Sequence, residues 1–275
     1  MKRSMILVVV LGTMLVQGTA FGAAQTKAQQ KCINGMNKGM AKVAGAQNKA
    51  HGKCTSTRAK DGTSDADTCA QTDAKVTAAQ TKVTATDTKL CAAGADFAYS
   101  GPGSVNSGSE FESNNFAFDV FGFDVNGIDD GITLCGTDKA GCKCQGKAFK
   151  AAGKVYKARL KEFNKCKKAG LKNKATPFDD VGDLFACVVS DSKGKIGKAE
   201  SKLDKIITKK CTAVTNPFPN TNSQCDTLNG AALQSCLVKR VRCHTCLTED
   251  ISDNLGVNCD DVDDDLDNGS CLNDF

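Results

Sequence analysis

Cys32 and Cys54, Cys69 and Cys91, and Cys144 and Cys166 each stand 22 residues apart. Lys31-Cys32 to Lys53-Cys54 and Lys143-Cys144 to Lys165-Cys166 both read K-C, twenty residues, K-C. A spacing that recurs in this way points to an internal repeat built on disulfides. Twenty-two residues of helix rise about 33 Å and turn about 40° past six full turns. The end cysteines of such a helix face one side but cannot bond each other, because a disulfide needs Cα atoms within about 7 Å. Two antiparallel helices bring Cys32 beside Cys91 and Cys54 beside Cys69. A parallel pair would stretch the short connection along the whole helix.

The compartment follows from the first residues and from the cysteine count. Lys2 and Arg3, an apolar stretch from Met5 to Val16, and Ala20-Phe21-Gly22 read as a secretory signal peptide over 1–22. No later apolar run approaches the roughly 20 residues of a membrane span. All 16 cysteines follow that segment, an even number that reads as a disulfide framework of a secreted, periplasmic or extracellular protein. Zinc sites favour paired C-x-x-C clusters, whereas most cysteines here stand alone. The chain has no Trp, two Tyr and two His, so its core is expected to be thin and to lean on crosslinks.

The expected fold is all-α: disulfide-stapled antiparallel helical hairpins with a small β-hairpin insertion. Residues 23–96 form the first hairpin, with Ile33, Met36, Met40, Val43 and Ala50 on one helix face and Val76, Ala79, Val83 and Leu90 on the other. Residues 144–211 form a second, where Phe149, Ala152, Tyr156, Leu160 and Phe163 mark an amphipathic helix. By analogy Cys144 pairs with Cys211 and Cys166 with Cys187. Cys187 to Cys211 is 24 residues, a mismatch that a break at Gly194 or Gly197 would absorb. Residues 97–143 read as a Gly/Ser loop, then a β-hairpin in which Phe116, Phe118 and Val120 alternate before Asn126-Gly127 and Asp130-Gly131. Cys135 and Cys142 close a local loop. Residues 212–275 form a cysteine-rich helical module with an acidic tail.

No motif reaches a catalytic signature. There is no G-x-S-x-G, and neither His51 nor His244 has a nucleophile partner in sequence. Cys243-His244-Thr245-Cys246 lacks the βαβ setting of a thiol oxidoreductase, and Leu247 stands where a c-type haem site needs His. These cysteines read as structural cystines. Asp261, Asp263, Asp265 and Asp267 could gather around one Ca²⁺, although an EF-hand starting at Asp261 would meet Leu266 and Leu272 where it wants Gly and Glu. Asp124, Asn126, Asp129 and Asp130 read as turn chemistry. Residues 144–211 hold 18 Lys/Arg against 7 Asp/Glu, and residues 247–275 hold 10 Asp/Glu with no Lys or Arg. The acidic tail is therefore expected to lie against the Lys-rich hairpin of its own chain or of a neighbouring molecule.

The K-C-x20-K-C helices, with Cys236, Arg242-Cys243-x-x-Cys246, Asn258-Cys259-Asp260 and Asn268-Gly269-Ser270-Cys271, resemble a recurring class of exported cysteine-rich bacterial proteins. The resemblance implies export and an internal repeat, and transfers no activity, ligand or site residue. Plant α-hairpinins also staple two antiparallel helices, but through paired C-x-x-x-C motifs that this chain lacks.

The leading functional expectation is an exported, disulfide-rich structural or interaction protein that is not an enzyme. Its partner would be another protein, or an anionic surface polymer held by the Lys-rich helix 143–174; nucleic acid is not the expected partner. The alternative is a Ca²⁺-binding extracellular protein using the acidic stretch. A secreted hydrolase or thiol oxidoreductase is a third class.

Overall fold

A computed structural model describes residues 25–92, 94–95, 98–123, 127–172, 181–264, 266 and 268–271. The segment read as a signal peptide lies outside these residues. The described residues are helical, with no strand among them. The main helices are α1 (Lys27–Asp61), α2 (Ala66–Gln71), α3 (Ala74–Leu90), α4 (Gly101–Phe121), α5 (Lys139–Gly170), α6 (Val181–Ser190), α7 (Lys195–Lys210), α8 (Gly230–Asp253) and α9 (Cys259–Asp264).

Helix α1 begins with a capping box, in which the Thr26 hydroxyl accepts from the Gln29 N–H while the Gln29 side chain accepts from the Thr26 N–H. It ends at Gly62 in the left-handed region, φ 70°. Its partner is not one helix. Asp65 caps α2 and Asp73 caps α3, each through a carboxylate on a backbone N–H, which restarts the helix before the apolar stripe of Val76 and Val83. Cys32 is bonded to Cys91 and Cys54 to Cys69, so the hairpin is closed at both ends.

The second hairpin has the same closure, Cys144 to Cys211 and Cys166 to Cys187. Here the return limb breaks into α6 and α7 at Gly194, whose φ of 60° is a conformation that glycine adopts without steric cost. That break absorbs the 24-residue spacing. Cys135 is bonded to Cys142, Cys225 to Cys236, Cys243 to Cys271 and Cys246 to Cys259, so all 16 cysteines are paired. Eight cystines and no free thiol suit a chain that folds outside the reducing cytosol.

The β-hairpin insertion is not there. Residues expected as a Gly/Ser loop and its first strand form α4, twenty-one residues long, started by Pro102 in its first turn. Its inward face is Val105, Ser109, Glu112, Ser113, Phe116, Val120 and Phe121, spaced three and four apart. Three of those seven are polar, and the partly buried Phe118 between Phe116 and Val120 gives the aromatic end of the helix a false period of two. Gly108 lets α4 approach α8 closely: a Cβ there would lie 2.6 Å from Ile251 Cγ2. Asp129–Gly131 is a single 3₁₀ turn, and Asp124 and Asn126 lie outside the described residues.

The core is an aromatic cluster shared by α4, α5 and the segment after α7. Phe116 stacks on Phe149 with centroids 5.4 Å apart, and Phe121 contacts Phe149 at 4.8 Å and Phe218 at 5.6 Å. No described helix is long and apolar enough to cross a membrane.

Candidate functional site

Helices α1 and α5 pack antiparallel. Lys150 Nζ donates to Ser56 Oγ at one end of the seam, and Asn164 Nδ2 donates to the Asn37 carbonyl nearer the other, each at 3.0 Å. Three depressions lie in line along this seam. The central one encloses about 620 Å³, with Ala41, Gly45, Ala46 and Ala50 as its floor and Lys38, Lys42, Lys49, Lys157 and Lys161 on its walls. A second, of about 410 Å³, shares Lys38 and adds Lys27, Lys31, Lys168 and Lys172. A third, of about 280 Å³, adds Lys60, Lys143, Lys147 and Lys150 at the opposite end.

The lysines align because of their spacing. On α1, Lys31, Lys38, Lys42, Lys49, Lys53 and Lys60 step by seven and four in turn, an eleven-residue period that stays on one side of a straight helix. On α5, Lys143, Lys147, Lys150, Lys154, Lys157 and Lys161 step by four and three, and Lys168 and Lys172 extend the row. Among the described residues, only Lys53 of these side chains meets a carboxylate, that of Asp73 at 3.7 Å. The ammonium groups feel one another. Lys161, with partial burial and Lys49 across the seam, holds Lys157 below the ordinary lysine value. Burial, Lys147 and Lys60 do the same to Lys150.

The acidic side chains are used elsewhere. Asp263 is buried and accepts from Arg240 Nη2 at 3.1 Å and from Ser270 Oγ at 2.9 Å, while Asp264 pairs with Lys239 at 2.8 Å. Asp260 accepts the backbone N–H groups of Gly269 and Cys271 at 2.7 and 2.8 Å. The described part of the tail is thus folded onto α8, not onto the Lys-rich hairpin where it was expected. Of the four aspartates read as Ca²⁺ ligands, Asp261 is exposed and Asp263 faces Arg240, two residues apart on α9 and so on different sides of it. Asp265 and Asp267 lie outside the described residues, and the described residues hold no group of three metal-ligating side chains.

Both imidazoles are buried and engaged. His244 Nδ1 donates to Glu112 Oε2 at 2.9 Å and Nε2 to Asp119 Oδ2 at 2.8 Å. Burial alone would lower its pKa, but the hydrogen bonds and charges of Asp119 and Glu112 outweigh it and raise the group to about 9. An imidazolium with both N–H groups donated has no lone pair for general-base work. His51 is the opposite case: burial, only partly offset by a bond to Asn114 Oδ1 at 2.8 Å, lowers it to about 4 and leaves it neutral. Lys167 pairs with Asp253, which also accepts twice from Asn37 Nδ2 at 2.8 Å, so α1, α5 and α8 meet at one buried ion pair. Cys243 and Cys246, read as structural cystines, bridge away from each other to Cys271 and Cys259.

Sequence reasoning placed the basic surface on 143–174 alone and missed its α1 half. The seven-and-four lysine spacing was the available signal. No protein-family model, curated protein or solved structure matches this chain.

Proposed function

We propose that the chain is an exported, non-enzymatic interaction protein, whose contact surface is the lysine face along the α1–α5 seam. The observation that supports this reading most directly is the segregation of charge. Described aspartates and glutamates of α4, α8 and α9 bind internal partners, while the lysines of α1 and α5 line one open face. Like charges held side by side on a stapled scaffold raise the local potential, and an incoming polyanion relieves that repulsion. The Asn164–Asn37 hydrogen bond and the buried cluster of Asn37, Asp253 and Lys167 hold α1 against α5 and keep both rows in register, so the ordering cost of binding is low.

Retention on a heparin column tests the reading. A seam variant carrying Lys42→Glu, Lys49→Glu, Lys157→Glu and Lys161→Glu is expected to elute at clearly lower salt than the parent chain. A control carrying Lys198→Glu, Lys202→Glu, Lys205→Glu and Lys209→Glu on α7 has the same net charge and is expected to shift far less. Equal shifts would show that only net charge matters and would remove the seam as the contact surface.

A further inference from the structure

Resting on that reading, we propose that the seam is a binding groove for one chain of an unbranched acidic polysaccharide, laid lengthwise between the two lysine rows. Three features of the groove select this ligand class. The first is length. The lysines are strung from Lys27 to Lys60, about 50 Å of helix at 1.5 Å per residue, rather than converging on one point. A single small anion uses convergent donors; a polymer with repeated charges uses a row.

The second feature is the floor. Ala41, Ala46 and Ala50 present methyl groups, and Gly45 leaves open space, between walls of ammonium groups that also carry one carboxylate, Asp73, facing Lys53. A sugar ring matches this pattern, with C–H faces to rest on the methyls and carboxylate or sulfate groups at its edges. Polyphosphate has no apolar surface to place there. The third is the lack of stacking platforms. Among the described residues, no aromatic side chain lines the central depression or the one beside it, and Phe121 at the third is only 1 % exposed. Single-stranded nucleic acids are usually held by aromatic stacking, each base contributing about 1–3 kcal/mol. No described arginine lines the groove either. Lysine ammonium groups act as rotatable point charges and accept carboxylate or sulfate without demanding a bidentate fit.

Gly45→Leu separates groove occupancy from simple attraction. A Cβ at Gly45 meets nothing within 4 Å, leucine favours the helix more than glycine does, and every charge is retained. Binding is measured by calorimetry at fixed salt with oligogalacturonate of increasing length and with oligo-dT of matched charge, and circular dichroism checks that each variant is helical. The expected result is an affinity that rises with oligogalacturonate length until the groove is spanned, exceeds that for oligo-dT, and falls about tenfold in Gly45→Leu. Unchanged affinity in Gly45→Leu, with loss in the four-lysine seam variant, would overturn the groove and leave the lysine face standing. Equal or tighter binding of oligo-dT would overturn the polysaccharide and favour nucleic acid on the same face. Binding of neither probe by the parent chain would overturn both the groove and the proposed function beneath it.

Discussion

At the scale of single residues, the two histidines place opposite pH limits on the fold. His244 has a folded pKa of about 9, above its ordinary 6.5, so the stability it contributes is fully present below pH 6.5 and is lost as pH rises toward 9. His51, lowered to about 4, contributes stability above pH 6.5 that is lost as pH falls toward 4. Chemical denaturation between pH 6.5 and 9 is expected to show falling stability in the parent chain. The fall should be clearly smaller in His244→Gln, which removes the titrating group at the cost of a weaker core. A slope unchanged by the substitution would mean that another group drives it.

At the scale of elements, each hairpin depends on where its staples close the chain. Cys32–Cys91 spans 59 residues and Cys54–Cys69 spans 15. Loop-closure entropy gives about 4 kcal/mol for the first and about 3 kcal/mol for the second. Replacing the Cys32–Cys91 pair with serines is therefore expected to lower stability by about 1 kcal/mol more than replacing Cys54–Cys69, as read from denaturant midpoints. Helices α1 and α5 were legible because apolar stripes and cysteine spacing agree on the same face. Helix α4 was not, because Ser109, Glu112, Ser113 and Asp119 occupy inward positions that hydropathy assigns to solvent. The partners of Glu112 and Asp119, His244 and Arg240, lie more than a hundred residues away and carry no local signal. The break before α3 was similarly hidden, since Asp73 as a cap competes with a plausible continuous helix.

At the scale of the whole molecule, charge is sorted rather than balanced. Counting by segment showed a basic hairpin and an acidic tail, and opposite sums suggested that the two would meet. The structure sorts by face instead: tail carboxylates serve α8, and the seam stays basic. Salt should then stabilise this protein. Raising sodium chloride from low to physiological strength shortens the Debye length to about 8 Å and screens the repulsion between exposed lysines, while buried pairs are little affected. Thermal melting is expected to move upward over that range, and less so in the four-lysine seam variant. A downward shift would mean that exposed ion pairs outweigh the crowded seam.

The double closure of each hairpin has a consequence for resistance to proteolysis. A surface so rich in lysine offers a trypsin-like protease many bonds, and most of them lie between paired cysteines. One cut anywhere between Cys32 and Cys54 leaves the upstream piece tied through Cys91 and the downstream piece continuous with the rest of the chain. The same holds between Cys144 and Cys166, through Cys211. A single nick between Cys32 and Cys54 or between Cys144 and Cys166 therefore releases no fragment, and the severed helix remains fastened beside its partner.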